Sequence, residues 1–299
     1  MNGSAASTPL DEPAGGSIRW RRALDWTFQA LALLVLLLTL GSLVALLADV
    51  WRDGIGRLSW DFLNSFPSRR AEDAGIKHAL TGSIFVIVVT ALLAVPVGVA
   101  AAIYLEEYGT RSAAARLIEI NISNLAAVPS VIYGLLGLGL FVRLLALERS
   151  VLAGGATLAL LALPVVILST REALRAVPKS IREGSYALGA TKWQTVWYQV
   201  LPVAVPGILT GLILALSRAI GETAPLITIG AVGFVSFVPD SIWSPFTVLP
   251  IQIYNWISRP QPEFQSNAAA GILVLLALLL TMNAVAVWFR DRYQRKGLA

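Results

Sequence analysis

Cysteine is absent from the 299-residue chain, which excludes disulfides, thiolate metal sites and thiol redox chemistry. Histidine occurs once, at His78, so a multi-histidine metal site is excluded as well. A single histidine beside an apolar run reads as an interfacial residue. No Gly-x-x-x-x-Gly-Lys-Ser/Thr phosphate loop is present, so the chain has no ATP site of that kind. No cofactor is implied. Charge is scarce too: Asp, Glu, Lys and Arg make up 14% of residues, against 56% hydrophobic ones. With a mean hydropathy of +0.71, this balance describes an all-α polytopic membrane protein without a separate soluble domain. The net charge of +5 does not point to nucleic acid, because the basic residues flank apolar segments, where they face anionic lipid headgroups. Membrane lipids are therefore an expected partner.

What is present is a series of long apolar runs. Residues 1–23 read as a disordered tail ending in Arg19, Arg21 and Arg22. The run 24–48 exceeds a signal-peptide core and is long enough to cross a bilayer, so it reads as an uncleaved first transmembrane helix. A polar loop with Trp51 and Trp60 as interfacial anchors follows. The core at 80–290 then holds spans near 80–105, with Pro96 as a possible kink, 117–145 and 151–170. A fifth begins at Leu201 and a sixth covers 268–288; residues 291–299 form a basic tail. The apolar character of the fifth runs on to about Val238, too far for one crossing, and Pro225 marks a break. Six spans put both termini on one side. That side carries fourteen Lys and Arg against eight on the other, which places the termini and residues 171–199 in the cytoplasm.

Two features stand out from this pattern. In the third span Ser123, Ala127, Ser130, Gly134 and Gly137 advance by three or four residues, which makes one small or polar stripe. Close helix packing is the favoured reading, and a pathway lined by Ser123, Asn124 and Ser130, with Thr223 of the fifth span, is the alternative. In the fifth span Arg218 and Glu222 stand one helical turn apart, next to Thr223, on a face shared with Gly207 and Gly211. Arg218 lies about 24 Å along a helix starting at Pro202. An arginine in a membrane costs from ~2.5 to more than 10 kcal/mol unless it faces protein or water, so this face is expected to look inward. An ion pair that fixes packing would explain it. So would a fixed cation offering a planar fork of donors to a tetrahedral oxyanion.

The segment 171–199 leaves the membrane for nearly thirty residues. Ser185, Leu188 and Thr191 are placed on one helical face with Ile181, as in a short helix that docks in a partner's groove. Glu183-Gly184-Ser185, three residues, Gly189, then Leu201-Pro202 resembles the EAA loop of the ABC importer permeases. It departs at Gly184 and Ser185, where alanines are usual, and at Gln199, where a branched apolar residue is usual; Val200 can supply that contact. The resemblance narrows to the phosphate-specific PstA branch on Leu214 to Leu226, on Asn124 to Leu135, on Glu172 to Pro178 leading into Gly189 to Thr195, and on Pro250 to Pro260.

This resemblance implies a type I ABC importer permease fold with a cytoplasmic coupling helix, in a bacterial inner membrane. Glu183, Gly184, Ser185, Ala187, Gly189, Ala190, Thr191 and Lys192 would sit on the ATPase, and Arg218 and Glu222 on the phosphate path. It implies as partners a second permease, PstC, two copies of the ATPase PstB and the phosphate-binding protein PstS. A permease for molybdate or sulfate, or the sister PstC itself, stays open. A membrane enzyme on lipid phosphates and a signalling scaffold are the readings from other classes.

Overall fold

A computed structural model describes the backbone of residues 16–109, 113–231 and 235–296. Residues 1–15 of the expected tail, Arg111 of the 104–116 connection and the last three residues lie outside the described residues. The chain divides into two compact units after Val50. The first is dominated by α1, Gly16–Gly54, a 39-residue helix. Its described apolar side chains, Leu33 to Leu38 among them, are exposed, as a lipid-facing helix requires. The helix starts eight residues before the expected span, so residues 16–23 are helical and not tail. Nothing between Gly16 and Ala23 breaks a helix, and extending an existing one is cheap.

In the second unit α2, Trp60–Asn64, is a single turn capped by Ser59, whose hydroxyl accepts from the Phe62 amide at 3.1 Å. The loop after it is pinned by Arg57. Its guanidinium donates to the carbonyls of Ala71 at 2.9 Å and Ala74 at 3.1 Å, and to Asn267 Oδ1 at 2.7 Å. Phe62, Ile76, Leu249, Trp256 and Phe264 form a buried core beneath it. His78 is fully buried here, not interfacial, with Nε2 3.1 Å from Gln252 Oε1.

α3, Lys77–Ile103, continues through Pro96 and ends in a π-helical turn, Tyr104–Tyr108. The third apolar run is not one straight span. α4, Ala113–Ala126, and α5, Ser130–Gly137, meet at 104°. Pro129 explains the corner, since proline pushes the preceding residue out of the helical region. Tyr133 Oη ties it by donating to the Leu125 carbonyl at 2.8 Å. The expected small-residue stripe is therefore cut between Ser123 and Ser130.

α6, Val151–Arg175, is buried along most of its length and is the axis of the unit. Its first amides are satisfied by a distant loop: Val151 N donates to Ser244 O at 3.1 Å and Leu152 N to Ile242 O at 2.9 Å. It runs five residues past the expected end at Thr170. α7, Lys179–Ala187, and α8, Lys192–Thr195, follow; α8 passes through a π-turn, Val196–Val200, into α9, Leu201–Gly221. The fifth span thus starts at Lys192, not Leu201. α10, Ala224–Ile229, α11, Leu249–Ile257, and α12, Glu263–Lys296, complete the chain. α11 turns an expected loop into a helix that buries Trp256, and α12 carries the expected basic tail in helical form as far as Lys296. Among the described residues, five helices are long and apolar enough to cross a membrane, or six if the bent α4–α5 pair counts as one.

Candidate functional site

The residues singled out by sequence form two sites at opposite ends of one helical run. From Lys192 to Gly221 that run is 30 residues, or about 45 Å at 1.5 Å per residue.

At the Lys192 end, α7 stops at Leu188 because Gly189 takes φ +78°, the left-handed conformation that closes a helix. Its amide donates to Tyr186 O at 2.9 Å, and Ala190 N donates to Ser185 O at 3.2 Å. Thr191 then caps α8 through a reciprocal box with Gln194: the Gln194 amide donates to Thr191 Oγ1 at 3.3 Å, and the Thr191 amide to Gln194 Oε1 at 2.8 Å. Thr191 therefore opens a second helix and does not share a face with Ile181, as its spacing suggested. Ser185 Oγ lies 2.9 Å from Thr195 Oγ1 and braces the corner. Lys192 Nζ sits 5.0 Å from the Tyr108 ring centroid. Trp193 and Trp197 stack at 5.5 Å between centroids.

Glu183, Gly184 and Ala187 are exposed, and Leu188 is 90% exposed at the tip. A side chain added at Gly184 would meet open space. Behind this free surface, Val200 is buried against Leu174, Val177, Ala204 and Ile208 and supplies the apolar contact that Gln199 does not. Gly189→Ala is expected to cost roughly 1–2 kcal/mol of local stability through its left-handed backbone. Gly184→Ala, inside α7, is expected to stabilise it by ~0.5–1 kcal/mol. Thermal unfolding of the two variants in detergent should shift in opposite directions; equal shifts would contradict this corner geometry.

Sequence reading missed how firmly this segment is tied down. Arg171, Arg175 and Arg182 count there only as basic residues. In the structure Arg171 Nε is 3.3 Å from Glu106 and its Nη1 3.1 Å from Glu119, while Arg175 Nε lies 3.0 Å from Glu106. Arg182 holds Glu107 at 2.8 Å. The available signal was charge complementarity between the two connections, with Glu106-Glu107 on one and three arginines on the other.

At the other end, α9 stops at Gly221 and Glu222 is extended, with φ −76° and ψ 115°. Arg218 Nε approaches Glu222 Oε1 at 3.4 Å, with Arg218 56% exposed and Glu222 18%. Gly207, Gly211 and Arg218 occupy one ~40° sector at about 3.6 residues per turn, while Glu222, expected on the same face, lies just past the end of the helix. That sector straddles the edge of the packed face. Gly211 is buried against Ser169 of α6 and Gly207, though exposed, comes close to Ala173, where a Cβ would lie 2.8 Å from the Ala173 Cβ; Arg218 is exposed. Thr223 precedes α10 without a side-chain cap.

α10 packs tightly on α5: a Cβ at Gly134 would lie 2.7 Å from Pro225 Cα and 2.8 Å from Thr228 Cβ. Gly137 is similarly pressed on Thr157. These two stripe residues thus serve packing. Ser123 and Asn124 end α4, with Ser123 Oγ donating to Glu119 O at 3.0 Å, and Ser130 begins α5. The Pro129 corner and the Glu222–Thr223 break are joined through Gly134 and Pro225.

Two broken helices meeting beside an ionisable pair, with a capped helical corner at the far end of the same run, is an importer-like arrangement. Residues 94–296 match the family model described as the binding-protein-dependent transport system inner membrane component. The chain belongs to that family. Among other binding-protein-dependent permeases, it is 34% identical over 277 residues to the phosphate transport system permease protein PstA of Yersinia pestis, covering 89% of this chain and 90% of the relative. It is 37% identical over 217 residues to PstA 1 of Mycobacterium tuberculosis H37Rv, covering 72% and 70%. A probable ABC transporter permease protein of Bacillus subtilis, YqgI, is 31% identical over 266 residues, covering 85% and 90%.

Solved structures agree on the fold. A chain of a bacterial ABC transporter involved in alginate import aligns with a TM-score of 0.62 at 14% identity, over 91% of this chain and 98% of that one. The inward-facing MetNI methionine ABC transporter aligns at 0.54 and 21% identity, over 74% and 94%. The permease fold is thus of the type I ABC importer class, and the chain is a multi-pass membrane protein.

Proposed function

We propose that this chain is one of the two membrane subunits of an ATP-driven importer of inorganic phosphate, and that its partners are PstC, two copies of PstB and the binding protein PstS. The observation that carries the reading is the single helical run from Lys192 to Gly221. It has an exposed corner of the EAA spacing at one end and the Arg218–Glu222 pair at the other. The names of the PstA relatives supply the anion. The chain spans a bacterial inner membrane with both termini and the α7–α8 corner in the cytoplasm.

The mechanism is alternating access. ATP binding closes the ATPase pair and moves α7, and the helical run carries that movement to the break at Glu222. There Arg218 presents its charge and fork of donors to the phosphate, and Glu222 holds the guanidinium when the site is empty. Arg218 is exposed in the single subunit, so the second subunit is the protein surface that completes its surroundings and shields it from lipid.

Purification through a tag on this chain is expected to bring down the other three proteins, identified by mass. ATP hydrolysis should rise with phosphate-loaded binding protein and not with molybdate or sulfate. A cysteine at Ala187, in a chain with no native cysteine, should crosslink to the ATPase, whereas Ser185 is less suitable because it is engaged with Thr195. Stimulation by another oxyanion, or a complex that hydrolyses ATP without this crosslink, would count against the assignment.

A further inference from the structure

Glu106 and Glu107 are consecutive residues on the π-turn that ends α3, yet they serve different helices. Glu106 accepts from Arg171 and Arg175 at the end of α6, and both arginines also reach Glu119 on α4. Glu107, 7% exposed, accepts from Arg182 of α7 at 2.8 Å from Nη2 and 3.3 Å from Nε. The same guanidinium donates to Val177 O at 2.9 Å from Nη1 and to Leu174 O at 2.9 Å from Nη2. Arg182 therefore does three things with one rigid group: it pairs with α3, satisfies two carbonyls where α6 ends, and fixes α7 to both. Among the described residues it is the one ion pair that α7 makes. It stands next to Glu183, the first residue of the exposed corner.

We propose that the Arg182–Glu107 pair is the joint through which displacement of α7 is transmitted to α3 and α6. Both are positioning residues that touch neither ATP nor the transported anion. The chemistry suits the task. A planar guanidinium held by a carboxylate and two carbonyls resists shear in several directions, whereas a lone contact through a flexible ammonium would let α7 tilt independently. The pair is largely withdrawn from water, so salt screens it little. From α3 and α6 the movement has a physical path onward. Glu106, Arg171 and Glu119 link α6 to α4, and α5 beyond the Pro129 corner presses on α10 through Gly134.

The inference rests on the importer reading, and its test keeps the two apart. In the purified four-protein complex, phosphate moved per ATP hydrolysed is measured for the wild type, Glu107→Gln, Arg182→Gln, the double variant and Arg182→Lys. Glu107→Gln keeps a carbonyl acceptor of the same shape, so it retains a folded, assembled subunit even if Arg182→Gln does not.

The expected result is that each neutral single variant still hydrolyses ATP but moves about tenfold less phosphate per ATP. The double variant should be no worse than either single one, and Arg182→Lys should fall between. A purely structural pair would reduce the yield of complex and leave the ratio intact. Wild-type ratios in Glu107→Gln and Arg182→Gln, or losses that multiply in the double variant, would overturn the joint. A wild-type complex showing no phosphate-driven hydrolysis would instead overturn the importer reading beneath it.

Discussion

Arg218→Gln is expected to lower phosphate uptake about a hundredfold in a complex that still assembles, with the substrate-independent ATPase rate unchanged. The size follows from the alternatives. As a packing device the Arg218–Glu222 pair is weak: one contact at 3.4 Å, on a side chain 56% exposed, is worth under about 1 kcal/mol. As an anion ligand shielded by a second subunit, the same guanidinium makes charge-assisted bonds worth about 1.5–3 kcal/mol each. Losing one or two such bonds is worth the hundredfold. Arg218→Lys keeps the charge but loses the fork, and should recover only part of the rate. Glu222→Gln releases Arg218 without removing it, so binding of the anion should tighten while turnover slows. Uptake measured with radiolabelled phosphate decides the matter, and an unchanged rate in Arg218→Gln removes this residue from the pathway.

The second large effect is expected at Gly134. A Cβ there falls 2.7 Å from Pro225 Cα and 2.9 Å from its carbonyl oxygen, so the obstruction is backbone and cannot rotate aside. Gly134→Val must push α5 from α10, at a cost of roughly 1–3 kcal/mol for the overpacking alone. It also parts the two helix breaks beside Arg218, so transport should be lost along with thermal stability in detergent. Gly139→Ala is the control, because a side chain there meets open space. Wild-type transport by Gly134→Val would show that the α5–α10 contact is dispensable.

What could be read from the chain and what could not divides along sequence distance. Gly189 stands in the EAA spacing, and that spacing located the helical corner; the Thr191–Gln194 box is equally local, but by periodicity alone Thr191 falls on the face of Ile181. Pro225 announced the break before α10. Pro129 carried an equally local signal, but the apolar run around it had the length of one span, and length outweighed it. The remaining misses are tertiary. His78 is buried because Gln252, 174 residues away, meets its ring. Arg182 meets Glu107 across 75 residues, and no periodicity records such a pairing. Exposure of Arg218 has another reason: an inward face is expected from its cost to a membrane, and a single subunit presents that face bare.

The helical run from Lys192 to Gly221 behaves mechanically as a lever. Pivoted near Lys192, a tilt of only ~10° would carry the Gly221 end through about 8 Å, more than the ~5.4 Å pitch of one helical turn. A stroke of that amplitude can open and close a passage beside Glu222 while every backbone hydrogen bond of the rod stays made. The cycle then needs no unwinding step, and its energetic cost falls on the packing against α6, where Gly207 and Gly211 leave the rod a smooth bearing surface on Ala173 and Ser169.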